Sequence, residues 1–134
     1  MFCLDTNIVI GIINGRATAV EARFRETVGR APLMLSAVVL FELRYGYTKS
    51  NRRSSMEALL AAFLAPGIEV LPFDEDDAAE AGGIRATLEA QGTPIGPYDI
   101  LIAAQARRRN AALVTLNRRE FERVPGLIVT DWAT

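Results

Sequence analysis

The chain has 134 residues, of which 50% are hydrophobic and 23% are charged, and its formal net charge is −1. This length suits one sizeable core, so we expect a single domain over residues 1–134. No uncharged apolar run reaches the length of a membrane span, and Asp5 interrupts the first apolar run too early for a secretory signal. We therefore expect a soluble, cytoplasmic protein with no membrane partner.

The sequence contains no histidine and a single cysteine, Cys3. Nucleophilic systems that use a histidine base and zinc sites built from histidine or several cysteines are therefore excluded. Cys3 lies in an apolar run and is expected in the core. Chemistry must come mainly from carboxylates, hydroxyls, amides and guanidinium groups, and carboxylates suit Mg²⁺ or Mn²⁺.

Short apolar runs alternate with longer helical patterns along the chain. The predicted strands are residues 1–4, 33–36, 68–73, 112–116 and 127–130. The predicted helices are residues 17–30, 36–50, 54–65, 74–92 and 98–110. This alternation predicts an α/β fold with a parallel sheet wrapped by helices.

Several boundaries carry local signals. Ser36 is placed to cap the helix that begins near Ala37, and Ser54 or Ser55 to cap the next helix. A proline-containing loop at 92–97 leads into a helix near Pro97. Asp5 stands where the first strand ends and a helix starts, and ligands bind at the carboxyl ends of parallel strands.

Three acids lack the partners that surface acids usually have. Glu21 has Arg25 at i+4, a common pairing on a solvated helix face. Glu42 and Asp99 have no oppositely charged residue at i±3 or i±4. Asp99 also suits the first turn of a helix, and Asp5 suits a helix cap. Together, three unpaired carboxylates beside apolar residues predict a divalent-cation site.

Four segments, taken in order, resemble a known family. They are "MFCLDTNIVI", "LSAVVLFELRYG", "GTPIGPYDILIAAQA" and "LVTLNRREFERVPGLIVTDW". This ordered set is similar to the PIN-domain ribonucleases, and most similar to the VapC toxins of bacterial VapBC toxin–antitoxin pairs. The resemblance implies a three-layer α/β/α sandwich around a five-stranded parallel sheet. It also implies an acidic site that binds Mg²⁺ or Mn²⁺ and cleaves RNA.

The resemblance assigns residues to that site. Asp5, Glu42 and Asp99 match the first, second and third acids and are the expected metal ligands. A cation held by Asp5 and Asp99, with Glu42 bound directly or through water, would acidify a water and polarise the scissile phosphate. Glu42 is the candidate to orient or deprotonate that water, and the expected products carry a 5′-phosphate and a 3′-hydroxyl.

Supporting polar residues surround these acids in the family pattern. The candidate supporting residues are Thr6, Asn7, Ser36 and Thr115. Many PIN domains place a fourth acid where this chain has Asn117, whose amide carries no negative charge. Glu120 is the other candidate for that catalytic position, although Arg123 at i+3 offers it an ordinary helical partner.

RNA binding has several candidate residues. The candidate arginine contacts are Arg44, Arg52, Arg53, Arg118 and Arg119. Residues 107–109, "RRR", are better explained as a solvated helix C-terminus. Tyr45, Tyr47 and Tyr98 flank two acids and could stack a base, although packing in a core or a partner groove is the safer interpretation.

The resemblance further implies a VapB-type antitoxin, an RNA substrate, a homodimer and higher toxin–antitoxin assemblies. Transfer RNA is the leading substrate, with the anticodon region of initiator tRNA as the specific candidate. One alternative is a catalytically silent PIN module that binds RNA or protein, motivated by Asn117. Another is a phosphatase or receiver with Asp5 as nucleophile, but "DTN" lacks a neighbouring acid and Lys49 is the only lysine.

Overall fold

The computed structural model describes residues 1–133, and a strand lies within each of the five predicted segments. The strands are β1 Phe2–Leu4, β2 Leu33–Ser36, β3 Glu69–Leu71, β4 Ala112–Val114 and β5 Ile128–Thr130. All four strand pairs are parallel, and the order across the sheet is β3-β2-β1-β4-β5. The predicted parallel sheet is confirmed.

Seven helices flank the sheet within residues 1–133. They are α1 Thr6–Ile13, α2 Thr18–Thr27, α3 Ala37–Lys49, α4 Arg53–Leu64, α5 Glu75–Ala90, α6 Pro97–Arg108 and α7 Arg118–Phe121. Helix α1 contacts α2, α3 and α4, whereas α5 packs mainly on α6. The three-layer α/β/α fold is confirmed. Across these residues, every helix is too short or too polar to cross a membrane.

The topology creates a crevice between β1 and β4. From β1 the chain adds β2 and β3 on one side of the sheet, and then β4 and β5 on the other. Ligands of open α/β sheets bind where the strand order reverses in this way. Leu4 pairs with Val114 in the sheet register. Asp5 and Thr115, which directly follow these two strands, therefore lie side by side at the crevice.

The core lies on both faces of the sheet, as the apolar strands predict. All four residues of β2 are buried. Cys3 is 4% exposed and belongs to the hydrophobic core, as expected. Phe24 of α2 and Phe63 of α4 stack with ring centroids 5.0 Å apart, which fixes these two helices against each other.

Two predicted helix starts are confirmed and one is wrong. The Ser36 hydroxyl oxygen accepts a hydrogen bond from the Val38 N–H at 2.9 Å, so it caps α3. Pro97 occupies the first turn of α6. Helix α4 begins at Arg53, before both predicted caps, and its N-cap residue Arg52 makes no side-chain cap bond.

The arginines at 107–109 lie near the end of α6, but they are not merely solvated. Arg107 pairs with Glu80 at 2.8 Å, while Arg108 and Arg109 both donate to Asp77 of α5. The side chain of Asp77 is fully buried and forms a reciprocal capping box with Asp74. These arginines tie the end of α6 to the start of α5.

Candidate active site at the β1–β4 crevice

Asp5 is buried at the end of β1 and serves as the N-cap of α1. Its Oδ1 accepts the Thr6 N–H at 2.8 Å, and its Oδ2 accepts the Thr115 hydroxyl at 2.7 Å. Burial raises the pKa of Asp5, the two hydrogen bonds oppose that rise, and the negative charge of Glu42 adds to it. The predicted cap is confirmed, and Thr115 spans the crevice to hold the same carboxylate.

Glu42 reaches the crevice from α3. The N-cap of this helix is Ser36, the last residue of β2. The Thr6 hydroxyl donates to Glu42 Oε1 at 2.7 Å. Thr6 therefore connects the start of α1 to the acid on α3 and fixes one of its two oxygens. The hydroxyl of Ser36 caps α3 and is buried, so its contribution to Glu42 runs through the helix start.

Asp99 lies in the first turn of α6. Burial and then the negative charges of Asp5, Glu120 and Glu42, in that order, together raise the pKa of this carboxyl to about 6. Asp5, Glu120 and Glu42 therefore all lie within electrostatic reach of Asp99. This convergence is what the three unpaired acids in the sequence predict, with Glu120 as the fourth.

Gly96 is a site residue that the sequence argument missed. A Cβ at this position would lie 3.2 Å from Asp99 Oδ2, which is closer than ordinary packing allows. The carboxylate of Asp99 therefore folds back over the glycine. The available signal was a glycine three residues before an acid at a helix start, in "GPYD".

The segment after β4 forms the remaining side of the site. The Asn117 side-chain amide donates to Glu120 Oε2 at 3.1 Å, and its backbone N–H donates to the Thr115 hydroxyl at 3.0 Å. Arg123 instead donates to the Pro94 carbonyl at 3.0 Å. The expected Glu120–Arg123 pair is thus wrong, because α7 ends at Phe121 and the helical i+3 spacing does not extend to Arg123.

Asn7 stabilises the same turn from the other side of the crevice. Its Oδ1 accepts the Leu116 N–H at 3.3 Å. Together with the bond from Thr115 to Asp5, this contact joins the first turn of α1 to the segment that follows β4. The two polar residues after Asp5 therefore have separate tasks, since Thr6 holds Glu42 and Asn7 holds the backbone after β4.

The donor set fits a hard divalent cation. Within residues 1–133, no lysine or arginine forms an ion pair with Asp5, Glu42, Asp99 or Glu120. No three acidic, cysteine or histidine side chains in this part of the chain converge closely enough to enclose an ion alone. Mg²⁺ is commonly held by one or two carboxylates with water in its remaining positions, so this wider arrangement suits it.

The candidate RNA-contacting arginines differ in whether they form ion pairs within the protein. Arg44 and Arg53 both approach Glu57, at 3.8 and 3.4 Å, and Arg118 pairs with Glu122 at 3.0 Å. Among the described residues, Arg52 and Arg119 form no ion pair. The structure therefore leaves these two guanidinium groups most available for another molecule.

The three candidate tyrosines differ in their exposure to solvent. Tyr47 is 6% exposed and belongs to the core, whereas Tyr45 and Tyr98 are 58% and 48% exposed. The Lys49 ammonium lies 5.1 Å from the centre of the Tyr45 ring. This contact holds the only lysine near the end of α3 and gives no support to a receiver-type site at Asp5.

Comparison with known proteins identifies the family to which this chain belongs. The PIN domain model matches residues 2–127. The chain is 43% identical to the tRNA(fMet)-specific endonuclease VapC of Shigella flexneri over 132 residues, which are 98% of each chain. It is 40% identical to the protein of the same name from Salmonella typhimurium over 131 residues, covering 98% of this chain and 97% of the other.

Comparison with solved structures indicates the same family. The fold matches a chain of VapBC2 from Rickettsia felis, bound to a promoter DNA fragment, with a TM-score of 0.91, 34% identity and 98% of each chain covered. It matches DNA-bound VapBC from Salmonella typhimurium with a TM-score of 0.89, 40% identity, and coverage of 98% of this chain and 97% of that one. The chain therefore belongs to the PIN-domain family and, within it, to the VapC ribonucleases.

Proposed function

We propose that this protein is a divalent-metal-dependent endoribonuclease and the toxin of a type II toxin–antitoxin pair. The main support is the group of four carboxylates at the β1–β4 crevice, which has no basic partner within residues 1–133. The other three carboxylates help to raise the pKa of Asp99. Four mutually repelling acids at a ligand-binding edge are costly unless a cation joins them. The VapC relatives are named as ribonucleases or endonucleases, which supports RNA hydrolysis.

In this proposal, Asp5 and Asp99 would hold Mg²⁺ or Mn²⁺, and Glu42 would contribute directly or through water. When bound, the cation would acidify water and neutralise charge on the scissile phosphate. Glu42 orients the attacking water and takes its proton, with the Thr6 hydroxyl fixing the carboxylate for that task. In-line attack of that water on phosphorus would break the P–O3′ bond, and the leaving O3′ would take up a proton from solvent, which gives a 5′-phosphate and a 3′-hydroxyl.

The fourth acid in this proposal is Glu120. Its carboxylate carries the negative charge that Asn117 lacks, and the Asn117 amide holds it at 3.1 Å. Thr115 connects this pair to Asp5 by accepting from the Asn117 backbone and donating to the carboxylate. Asn117 therefore acts as a positioning residue, and Glu120 supports the cation or its water.

The proposed substrate is transfer RNA, with initiator tRNA first. Two relatives at 43% and 40% identity are named tRNA(fMet)-specific endonucleases. The anticodon region is our proposed cleavage site within that RNA. Arg119 lies directly after the Asn117 turn and has no ion-pair partner in the described residues, so it is the best-placed arginine for an RNA phosphate.

The proposed protein partner is a VapB-type antitoxin. Several solved relatives are VapBC assemblies, including two bound to DNA. A partner that brings a positive charge to the crevice would compensate the carboxylates and compete with the cation. We also propose a homodimer and higher assembly with the antitoxin.

The first experiment is cleavage of end-labelled total tRNA by the purified chain in Mg²⁺, Mn²⁺ or EDTA. Discrete cuts with either metal, lost in EDTA, are expected for the wild type. Asp5→Asn and Asp99→Asn should abolish the cuts, whereas Glu26→Gln, an exposed acid on α2, should not.

Each alternative gives a different result in that assay. A folded protein that binds tRNA but never cuts it would replace the nuclease with a silent RNA-binding module. Metal-independent cuts, or cuts retained by Asp5→Asn and Asp99→Asn, would reject the assignment of the crevice as the catalytic site.

A further inference from the structure

Leu116 is an apolar residue at the mouth of the acidic crevice, and the proposed cleavage chemistry does not use it. It is 50% exposed and directly follows Thr115, which is fully buried and donates to Asp5. The next residue, Asn117, holds Glu120 through its side-chain amide. Leu116 therefore lies between two residues that contact acids of the proposed site.

Packing within the chain does not account for a leucine at this position. The segment after β4 is anchored in the core by Phe121 and Val124, which are 0% and 2% exposed. Leu116 does not belong to the core that residues 1–133 form. A single exposed leucine on a protein surface is common and needs no explanation. Leu116 differs from such a residue because its backbone is fixed beside the acids.

Three consecutive backbone hydrogen bonds fix this position. The Leu116 N–H donates to Asn7 Oδ1 at 3.3 Å, on the other side of the crevice. The N–H of Thr115 donates to the Thr130 carbonyl at 2.9 Å, and that of Asn117 donates to the Thr115 hydroxyl at 3.0 Å. The fixed backbone holds the leucine in a defined place, which lowers the entropy cost of binding another molecule there.

The same short segment also offers a positive charge. Arg119 lies three residues after Leu116, in α7, and it forms no ion pair within residues 1–133. A phosphate that reaches the acids of the crevice carries a nucleoside on each side. An apolar side chain suits the face of an unstacked base, and a guanidinium group suits a neighbouring phosphate. Residues 116–119 therefore combine both kinds of contact.

We infer that Leu116 packs against the face of an unpaired base next to the scissile phosphate and thereby selects RNA that is single-stranded at the cut. This inference rests on the proposed ribonuclease function and adds a residue that determines its specificity. In a duplex, neighbouring base pairs cover each base face, so Leu116 gains no contact there. An aliphatic side chain makes no hydrogen bond to a base edge, so Leu116 distinguishes unstacked from stacked nucleotides rather than one base from another.

The surroundings of Leu116 favour RNA over a protein partner. The four residues that follow it, 117–120, are all polar or charged. The centre of a protein–protein interface is instead depleted of charged residues. A nucleotide whose phosphate is cut at the crevice must also pass the segment that holds Asp5 and Glu120, whereas a protein partner has no such constraint.

Cleavage of synthetic RNA by the full chain in Mg²⁺ or Mn²⁺ tests the contact. The RNA is a stem-loop around the bond that the wild type cuts in total tRNA, and matched versions carry an abasic sugar on one side of that bond or the other. The wild type should cut the intact RNA with a kcat/KM about tenfold above that for one of the abasic versions. Leu116→Ser should lose this preference, whereas Leu116→Met should keep it because methionine is also apolar.

Leu59→Ser is the matched control, since Leu59 is 41% exposed on α4 and has no contact with the acids of the crevice among those described. This variant should keep the wild-type preference for the intact RNA. The same ratio of intact to abasic cleavage in Leu116→Ser and the wild type would overturn the inference, whatever the absolute rates. Loss of self-association in Leu116→Ser with that unchanged ratio would assign the leucine to the proposed homodimer instead.

Binding in EDTA separates this inference from the proposed function. If the wild type cuts no RNA, the probe is the fluorescent anticodon stem-loop of initiator tRNA, with versions that each lack one loop base. Tighter binding of the intact stem-loop that is lost in Leu116→Ser and kept in Leu59→Ser would reject the nuclease and retain the base contact. Equal affinities of the wild type for all versions would overturn the contact as well.

Discussion

The carboxyl group of Asp99 couples the proposed catalysis to stability. Burial, followed by the charges of Asp5, Glu120 and Glu42, raises its pKa to about 6. In the unfolded chain the same group titrates near 3.8. Between these two pH values the folded protein holds more protons than the unfolded one, so the contribution of Asp99 to stability falls as pH rises from about 4 to about 6.

Asp99→Asn should therefore stabilise the metal-free protein at neutral pH while abolishing cleavage. The amide removes the charge that burial and three acids disfavour, so the unfolding temperature in EDTA should rise at pH 7.5 and change little near pH 4. Calorimetry at both pH values measures this difference. Lower stability than the wild type at pH 7.5 would show that the carboxylate is not electrostatically strained.

The Thr6 hydroxyl holds Glu42 in place, and its removal should impair cleavage. Thr6→Val keeps the shape but removes the bond to Glu42 Oε1, so kcat for tRNA cleavage should fall about tenfold or more with little change in KM. Thr6→Ser should restore most of kcat, because it returns the donor. Equal kcat values for the valine variant and the wild type would exclude a positioning role for Thr6.

The sequence was sufficient to find the acids but not their partners. Glu42 and Asp99 stood out because helical spacing gave them no cation, and that spacing was valid inside α3 and α6. The same rule failed for Glu120, since the four-residue α7 ends before Arg123. The bonds from Thr6 and Thr115 join residues 36 and 110 positions apart, which helical spacing cannot anticipate.

The strands were predictable because they are short and apolar on both faces. The start of α4 differs from the prediction because neither Ser54 nor Ser55 caps the helix. Ser50 instead accepts a hydrogen bond from the Arg52 N–H, just before the helix begins. The Ser55 hydroxyl donates to the Arg52 carbonyl instead. Helix α7 has too few residues to show a periodic pattern.

The contact between α5 and α6 depends on Asp77. Burial alone would raise its pKa, but hydrogen bonds from Asp74, Gln105, Arg108 and Arg109 outweigh it and hold the pKa well below its usual value. Its contribution to stability is therefore present above the unfolded pKa near 3.8, and it is lost as pH falls toward the lower folded value.

Asp77→Ala should destabilise the fold by about 2–3 kcal/mol at neutral pH, because it removes a buried acceptor of charged hydrogen bonds. Urea titrations at pH 7 and pH 3 should show a smaller difference at the lower pH. Asp76→Ala provides the control, since Asp76 is 81% exposed and approaches Arg108 only at 3.6 Å. Similar losses in both variants would contradict the importance of the buried group.

An aromatic surface remains uncovered beside the proposed active site. Phe41 and Tyr98 meet edge to face with ring centroids 5.4 Å apart, yet they are 51% and 48% exposed. Tyr45 extends this surface along α3 and is 58% exposed. A second copy of the chain is the occupant that agrees with the proposed homodimer, and it would bring two acidic sites near each other.

Phe41→Ser/Tyr45→Ser should therefore shift the protein from dimer toward monomer in sedimentation experiments at micromolar concentration. The lost apolar contact area is the reason, since single aromatic side chains contribute much of the energy of such interfaces. Leu59→Ser, which removes a 41% exposed apolar side chain on α4, should leave the dimer intact. A wild type that is already monomeric would reject the aromatic interface.

The position of β4 between β1 and β5 also determines when the proposed site can assemble during synthesis of the chain. Asp5 is synthesised almost first, yet its Thr115 partner lies 110 residues later in the chain. During translation, β1 can pair with β2 early, but its other edge stays open until β4 is made. The nascent chain therefore carries Asp5 and Glu42 without an assembled crevice, so the proposed cleavage site cannot form until nearly the whole sheet has been synthesised.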